Sequence, residues 1–233
     1  MLILSPMRYI VLDTETTGFN AEKDDRIIEI GALELINFVP TGRVYHQYIN
    51  PERPIPEGAT AVHGIKDADV ADKPVYAEIV QAFDEFIGDD GQLVIHNAEF
   101  DMRFLNAEYK RLGLPPLPMS RSIDTLAMAR AMFPGAPASL DALCKRYGVD
   151  NTARVYHGAL MDAKLLGEVF LHLSGGHQPE FLAAVVNEKE AQTEEAAMGT
   201  SWPVRDFSPS AEELAAHDTM MAGIKDSIWA KEA

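Results

Sequence analysis

Cysteine is nearly absent: Cys144 stands alone among 233 residues, so no internal disulfide can form, and the chain reads as one made for a reducing compartment, the cytoplasm. Long hydrophobic runs are missing too. Nothing approaches the roughly 20 apolar residues that a membrane span needs, and Met1 to Leu4 is broken by Pro6 too early for a signal-peptide core. Because Met7 directly precedes a strand-like run, residues 1–6 read as a leader. Positive charge is scarce. Twenty Lys and Arg against 36 Asp and Glu leave a formal charge of −16, with 25 acids and 16 bases in residues 1–174 and 11 acids and 4 bases after them. Such a chain does not grip nucleic acid by bulk attraction, which relies on clustered Lys and Arg. What is present is apolar content of 47%, enough for one sizeable core with an appended segment.

The runs "RYIVLD", "RIIEIGALELI" and "RVYHQYIN" are β-rich and follow one another closely, which predicts three strands in an antiparallel meander. The proline-rich "NPERPIPEGATAVHGI" then reads as irregular chain. "PVYAEIVQAFDEFIG" has helical spacing, with Pro74 suited to its first turn. "QLVIHN" reads as a buried strand, "AEFDMRFLNAEYKRLG" as a helix closed by Gly113, and "RSIDTLAMARAM" as a strand running into a helix. Two more helices follow, the second ending at Gly175 and Gly176. Three strands followed by alternating helices and strands predict an α/β fold with a mixed sheet covered by helices.

Asp13 and Glu15 stand two apart at the end of the first strand, so their side chains share a face and repel unless something positive lies between them. Asp101 and Asp162 fall in the first turns of two later helices, where loops beyond strand ends can bring distant acids together. Four carboxylates with no nearby cysteine suit hard ions such as Mg²⁺ or Mn²⁺. A pair of such ions is the usual device for attack on a phosphodiester. His157 precedes Asp162 by five residues and faces the same site only if it lies at or before the helix start, where a neutral imidazole can act as a base. Each residue also has an ordinary role open to it: a capped turn for Asp13 and Glu15, a helix-start acid for Asp101 and Asp162, and a surface or capping histidine for His157. His63 and His96 are rival bases, and Asp124 is a further acid able to cap a helix.

Taken in order, "DTETTG" after a strand, "HNAEFD" opening a helix and "HGALMDA" opening another resemble the three motifs of the DEDDh family of 3′–5′ exonucleases. The resemblance covers Arg8 to Gly176 and is strongest to the epsilon branch, the proofreading subunits of bacterial DNA polymerase III, with which "ATAVHGI", "SIDT", "SLDALCKRYGV" and "LSGG" are also similar. It implies a ribonuclease H-like fold with a five-stranded mixed sheet. It further implies two divalent ions, Mg²⁺ or Mn²⁺, held by Asp13, Glu15, Asp101 and Asp162, with His157 as general base. Thr16, Val62, His63, Asn97 and Phe100 match positions near the terminal nucleotide. The implied substrate is the 3′ end of single-stranded or frayed DNA. The core motifs alone leave open an exoribonuclease, and a non-catalytic scaffold subunit is the reading from another class.

After Gly176 the composition turns acidic and alanine-rich, as a linker does, before helical spacing resumes at Ser210 with a capping box to Glu213. This divides the chain into a leader (1–6), an exonuclease domain (7–176), a contact segment and linker (177–209) and a helical tail (210–233). Gln178, Phe181 and Leu182 resemble a sliding-clamp peptide. The tail, through Leu214, Met221, Ile224, Ile228 and Trp229, resembles the segment that binds the polymerase (alpha) subunit. A small theta-type subunit is a further implied partner.

Overall fold

The computed structural model describes residues 7–152, 156–175 and 210–222. Residues 7–175 belong to one compact unit, and a separate unit contains the helix at 211–222. In the first unit, β1 (Arg8–Thr16), β2 (Ile27–Ile36) and β3 (Val39–Tyr48) form the predicted antiparallel meander. Then come α1 (Glu57–His63), α2 (Asp67–Val70), α3 (Tyr76–Ile87), β4 (Gln92–Ile95) and α4 (Ala98–Arg111). A 3₁₀ turn leads to β5 (Ser122–Asp124), followed by α5 (Thr125–Met132), α6 (Leu140–Tyr147) and α7 (Ala159–Leu173). The sheet order is β3-β2-β1-β4-β5, with β4 parallel to β1 and β5 parallel to β4. The fold is thus a mixed five-stranded sheet flanked by helices. Among the described residues no helix is long and apolar enough to cross a membrane.

Strand alternation divides the core between the two faces of β1. Ile10 and Leu12 pack with Phe83 of α3 and Phe104 of α4, while Tyr9 and Val11 pack with Leu143 of α6 and Phe170 of α7. Full burial of residues this large supplies most of the driving force, at ~1.5–3 kcal/mol for each such side chain. The same alternation turns Asp13 and Glu15 toward the α7 face. Both lie within β1, which runs three residues beyond the expected end at Asp13.

The structure differs from the sequence reading in two further places. The proline-rich segment is not wholly irregular: its prolines at 51, 54 and 56 all precede α1, Pro56 occupies the N-cap with φ −62°, and Gly64 (φ 76°) closes the helix by donating to the Thr60 carbonyl. His63 is therefore the last residue of a short helix and is buried. Pro74 also lies outside the first turn of α3, before the N-cap Val75, and its carbonyl accepts a hydrogen bond from Asn50 N at 2.9 Å.

Among the described glycines the closest approach of another segment is at Gly31 of β2, opposite Asp13 in the ladder. A Cβ there would stand 2.1 Å from Leu160 N and 2.2 Å from the Ala159 carbonyl carbon, so the first turn of α7 lies directly on a strand that has no side chain at that point. We expect Gly31→Ala to lower stability by about 1–3 kcal/mol or more, read as a lower urea midpoint. Gly58 in α1 has open space where a Cβ would go, so Gly58→Ala should leave the midpoint unchanged or raise it. Equal midpoints for Gly31→Ala and wild type would show that the close approach does not constrain α7.

Candidate active site

The site is built at the end of β1, where its two neighbouring strands behave differently. The ladder with β2 continues to Thr16, but the parallel pairing with β4 stops at Val11–Val94. Beyond that point one backbone edge of β1 is open, and the start of α4 crosses it. Asp101, in the first turn of α4 and buried, accepts hydrogen bonds from Thr14 N (3.1 Å) and Thr14 Oγ1 (2.7 Å) on one carboxylate oxygen. It takes the place of a ladder partner and is fixed against β1.

From the other face comes α7. Asp162 sits in its first turn, and His157 stands just before the N-cap Gly158, as the spacing requires if both are to face one site. His157 Nδ1 lies 3.3 Å from Asp162 Oδ2, and donor atoms of Glu15, His157 and Asp162 all fall within 4.8 Å of one another. The approach of α7 is held by Glu29 of β2, which is buried. Its Oε2 accepts from Ala159 N at 3.1 Å, while its Oε1 lies 2.7 Å from His46 Nε2. The His157 backbone N–H donates to the Val62 carbonyl at 3.3 Å, which ties α1 to the same loop.

So many acids in one place must disturb one another. Burial first, and then the charges of Asp101, Glu15, Asp162 and Glu29, hold the Asp13 carboxyl well above the usual carboxylate range. Burial pushes Asp101 up to about 7, although the Thr14 hydrogen bonds pull the other way. A set of converging carboxylates with one imidazole fits a hard divalent cation, whose charge would relieve that repulsion.

The remaining predicted residues have the following places in the fold. Thr16 ends β1, buried, and donates through Oγ1 to the Gly18 carbonyl at 2.6 Å. Val62 is exposed. His63 is held by Ile65 N donating to its Nδ1 at 3.0 Å; burial lowers its pKa, with His157 acting in the same direction and the Thr16 backbone opposing. His96 is engaged with Thr125 Oγ1 at 3.0 Å. Asp124 is the N-cap of α5, the capping role open to it in the sequence, and also accepts from Asn97 N at 3.1 Å. Asn97 adopts a left-handed conformation (φ 68°) where β4 gives way to α4. Phe100 is partly buried, and its ring meets that of Phe19 at 6.4 Å. Gln178, Phe181, Leu182, Met221's side chain, Ile224, Ile228 and Trp229 lie outside what is described.

Sequence reasoning did not single out Glu29, Gly31 or Phe19. The first two act through cross-strand register, which a linear reading does not display. Phe19 had a visible signal: a large aromatic directly after the "DTETTG" motif, here 81% exposed with its ring against that of Phe100.

A profile of the exonuclease family matches residues 10–170. The DNA polymerase III subunit epsilon of Rickettsia felis is 46% identical over 226 residues, covering 95% of this chain and 98% of that protein. Its counterpart in Pasteurella multocida is 44% identical, covering 91% and 87% respectively. Among solved structures, exonuclease X in complex with 5′ overhanging duplex DNA aligns with a TM-score of 0.56 at 28% identity, over 76% of this chain and 98% of that one. The nuclease domain of 3′hExo, a DEDDh family member bound to rAMP, shares the fold with a TM-score of 0.62 at 18% identity, over 74% and 94%.

The raised carboxyls set a pH dependence. Without metal, the folded chain holds protons on Asp13 and Asp101 that the unfolded chain, with Asp near 3.9, has already released, so stability should fall as pH rises from about 4 to about 7. In chelator, Asp101→Asn should flatten that slope, because its amide is neutral throughout and can still accept from Thr14. Urea midpoints measured from pH 5 to 8 test this, and an unchanged slope in the variant would contradict it. Added Mg²⁺ should restore stability most at the alkaline end, since metal must displace those protons.

Proposed function

The chain belongs to the exonuclease family as a metal-dependent 3′–5′ exonuclease, and from that premise we propose that it proofreads DNA synthesis as a subunit of a replicative DNA polymerase III. The observation that carries the chemical part is the convergence of Glu15, His157 and Asp162 within 4.8 Å, beside an Asp101 fixed to β1 by Thr14. In this reading Asp13, Glu15, Asp101 and Asp162 hold two divalent ions, Mg²⁺ or Mn²⁺. Such ions, when bound, activate a water and neutralise charge developing on the attacked phosphate and the leaving oxygen.

The chain's own residues supply the rest. His157, with Nδ1 toward Asp162, takes the proton of the attacking water at Nε2, and its position ahead of the helix keeps it half-exposed where substrate enters. Glu29 sets the height of α7 over β2 and thus where His157 and Asp162 stand. Thr16, Val62, His63, Asn97 and Phe100 frame the terminal nucleotide, and Phe19 offers a ring against which a base can stack. Selectivity then needs no recognition of the wrong base. Only a frayed end reaches the acids, and unpairing costs less, by a few kcal/mol at most, when the terminus is mismatched.

The partners in this proposal are the relatives' own assembly, a DNA polymerase III, engaged through the tail. The helix α8 (Ala211–Ala222) opens with the capping box read from the sequence: Ser210 N donates to Glu213 Oε2 at 2.8 Å and Glu213 N to Ser210 Oγ at 3.2 Å. It presents Leu214 exposed. Residues 210–233 would bind the polymerase subunit, and Gln178, Phe181 and Leu182 a sliding clamp. A small theta-type subunit completes the set.

Hydrolysis of a labelled primer, matched or mismatched at its 3′ end, tests the reading. We expect 5′-mononucleotides to be released with Mg²⁺ or Mn²⁺, faster from the mismatch, and none in chelator. His157→Ala should lower the rate by about 10²-fold or more while the fold, followed by circular dichroism, survives. Trimming of RNA alone would remove the replication role, and normal turnover by the variant would remove the base.

A further inference from the structure

On the outer side of α4, away from Asp101, lies an open groove of ≈ 980 Å³. Arg103 and Lys110 of α4, seven residues and two turns apart, share this face, and Lys23 and Arg111 contribute to the lining. Glu22 and Glu99 also line the groove, so it holds four cations against two acids in a chain whose net charge is −16.

The arginines shape the groove and the lysines are left for a ligand. Arg103 donates to the Phe19 carbonyl (3.2 Å), with its guanidinium 6.0 Å from the Phe100 ring, and Arg111 donates to the Ala21 carbonyl (3.2 Å) and pairs with Glu108 (3.3 Å). These bonds fix the 19–25 loop against α4. Lys23 and Lys110 are exposed, and each presents a mobile ammonium to the groove. The groove is linked toward the active site through Arg103, which contacts the Phe19–Phe100 pair, Phe100 being the residue before Asp101. From Asp101 to Lys110 the helix rises about 13 Å, a path directed away from the acids.

We propose that this groove holds the phosphate backbone of single-stranded DNA on the 5′ side of the nucleotide being removed. The inference rests on the proposed DNA substrate and extends it to a surface distinct from the acids. A polyanion brought to a cluster of carboxylates is repelled wherever no cation stands between them, so its remaining phosphates need positive charge beside the centre. Two exposed lysines and a fixed arginine, next to an aromatic pair, are the combination that single strands use: charge for the backbone and rings for the bases.

The test compares the full-length chain with Lys23→Glu/Lys110→Glu on a single-stranded 15-mer and on a dinucleotide, which is too short to reach the groove. The expected result is a roughly tenfold higher KM on the 15-mer, with dinucleotide turnover within about twofold of wild type. The slope of log affinity for the 15-mer against log salt, taken by anisotropy in chelator, should be shallower by about 1.4, from two lost contacts at ~0.7 each. Unchanged KM and salt slope overturn the proposal, as do equal losses on both substrates. So does a double variant that holds the 15-mer normally but fails to bind an acidic partner protein. A wild-type chain that cleaves neither substrate would instead overturn the proposed function, which keeps the two failures distinct.

Discussion

The site depends on how closely the start of α7 lies to β2. Two helices bring acids to β1 from opposite faces of the sheet, and α7 can reach it only because Gly31 removes the side chain that would stand in its path. Contact alone would leave the helix free to slide, so the Glu29 carboxylate, accepting from Ala159 N, sets its position. A carboxylate is suited to this place because the first backbone N–H groups of a helix lack partners and carry partial positive charge. Glu29 also adds one more acid to a crowded centre, and its contact with His46 on the far side anchors it there.

That crowding is a stored cost. Folding forces Asp13 among four other carboxylates, and its proton affinity rises because the ionised form is penalised twice, by burial and by its neighbours. A fold with this arrangement is stabilised by whatever supplies positive charge to it, whether protons at low pH or divalent cations near neutrality. Metal binding and catalytic competence are in this sense one property. The geometry that destabilises the bare chain is the geometry that a cation completes, and Thr14 keeps Asp101 in place through the exchange because its hydrogen bonds go to a single carboxylate oxygen.

Much of this was legible in the residues. Alternation placed Asp13 and Glu15 on one face, and the five-residue gap from His157 to Asp162 required the histidine to precede the helix, where it stands. Those are local relations, fixed by the 2.0 and 3.6 periods. What the sequence did not disclose depends on pairing between distant segments. Glu29 and Gly31 read as ordinary members of a strand until the register sets them opposite Glu15 and Asp13. The short helix α1 was hidden by its prolines, because a proline ends regular structure when it falls inside an element and starts one when it falls at the N-cap. His63 was misplaced for the same reason, as a loop residue and not the buried end of that helix.

The acidity of the whole chain is compatible with a nucleic-acid substrate because electrostatics in water acts over about one Debye length, roughly 8–10 Å at physiological salt. A strand entering this site responds to the charges within that distance and not to the sum over 233 residues. Along the proposed path it meets Arg103 first and Lys110 and Lys23 farther from the acids, while part of the excess negative charge lies after residue 174, in sequence apart from the catalytic unit. A net negative surface also weakens holding of duplex DNA in general, so what engages is a terminus that can reach the acids and be held locally. On the proposed reading, in which the substrate is a rare frayed end beside a large excess of paired DNA, weak bulk attraction with local contacts favours that end over the competing duplex.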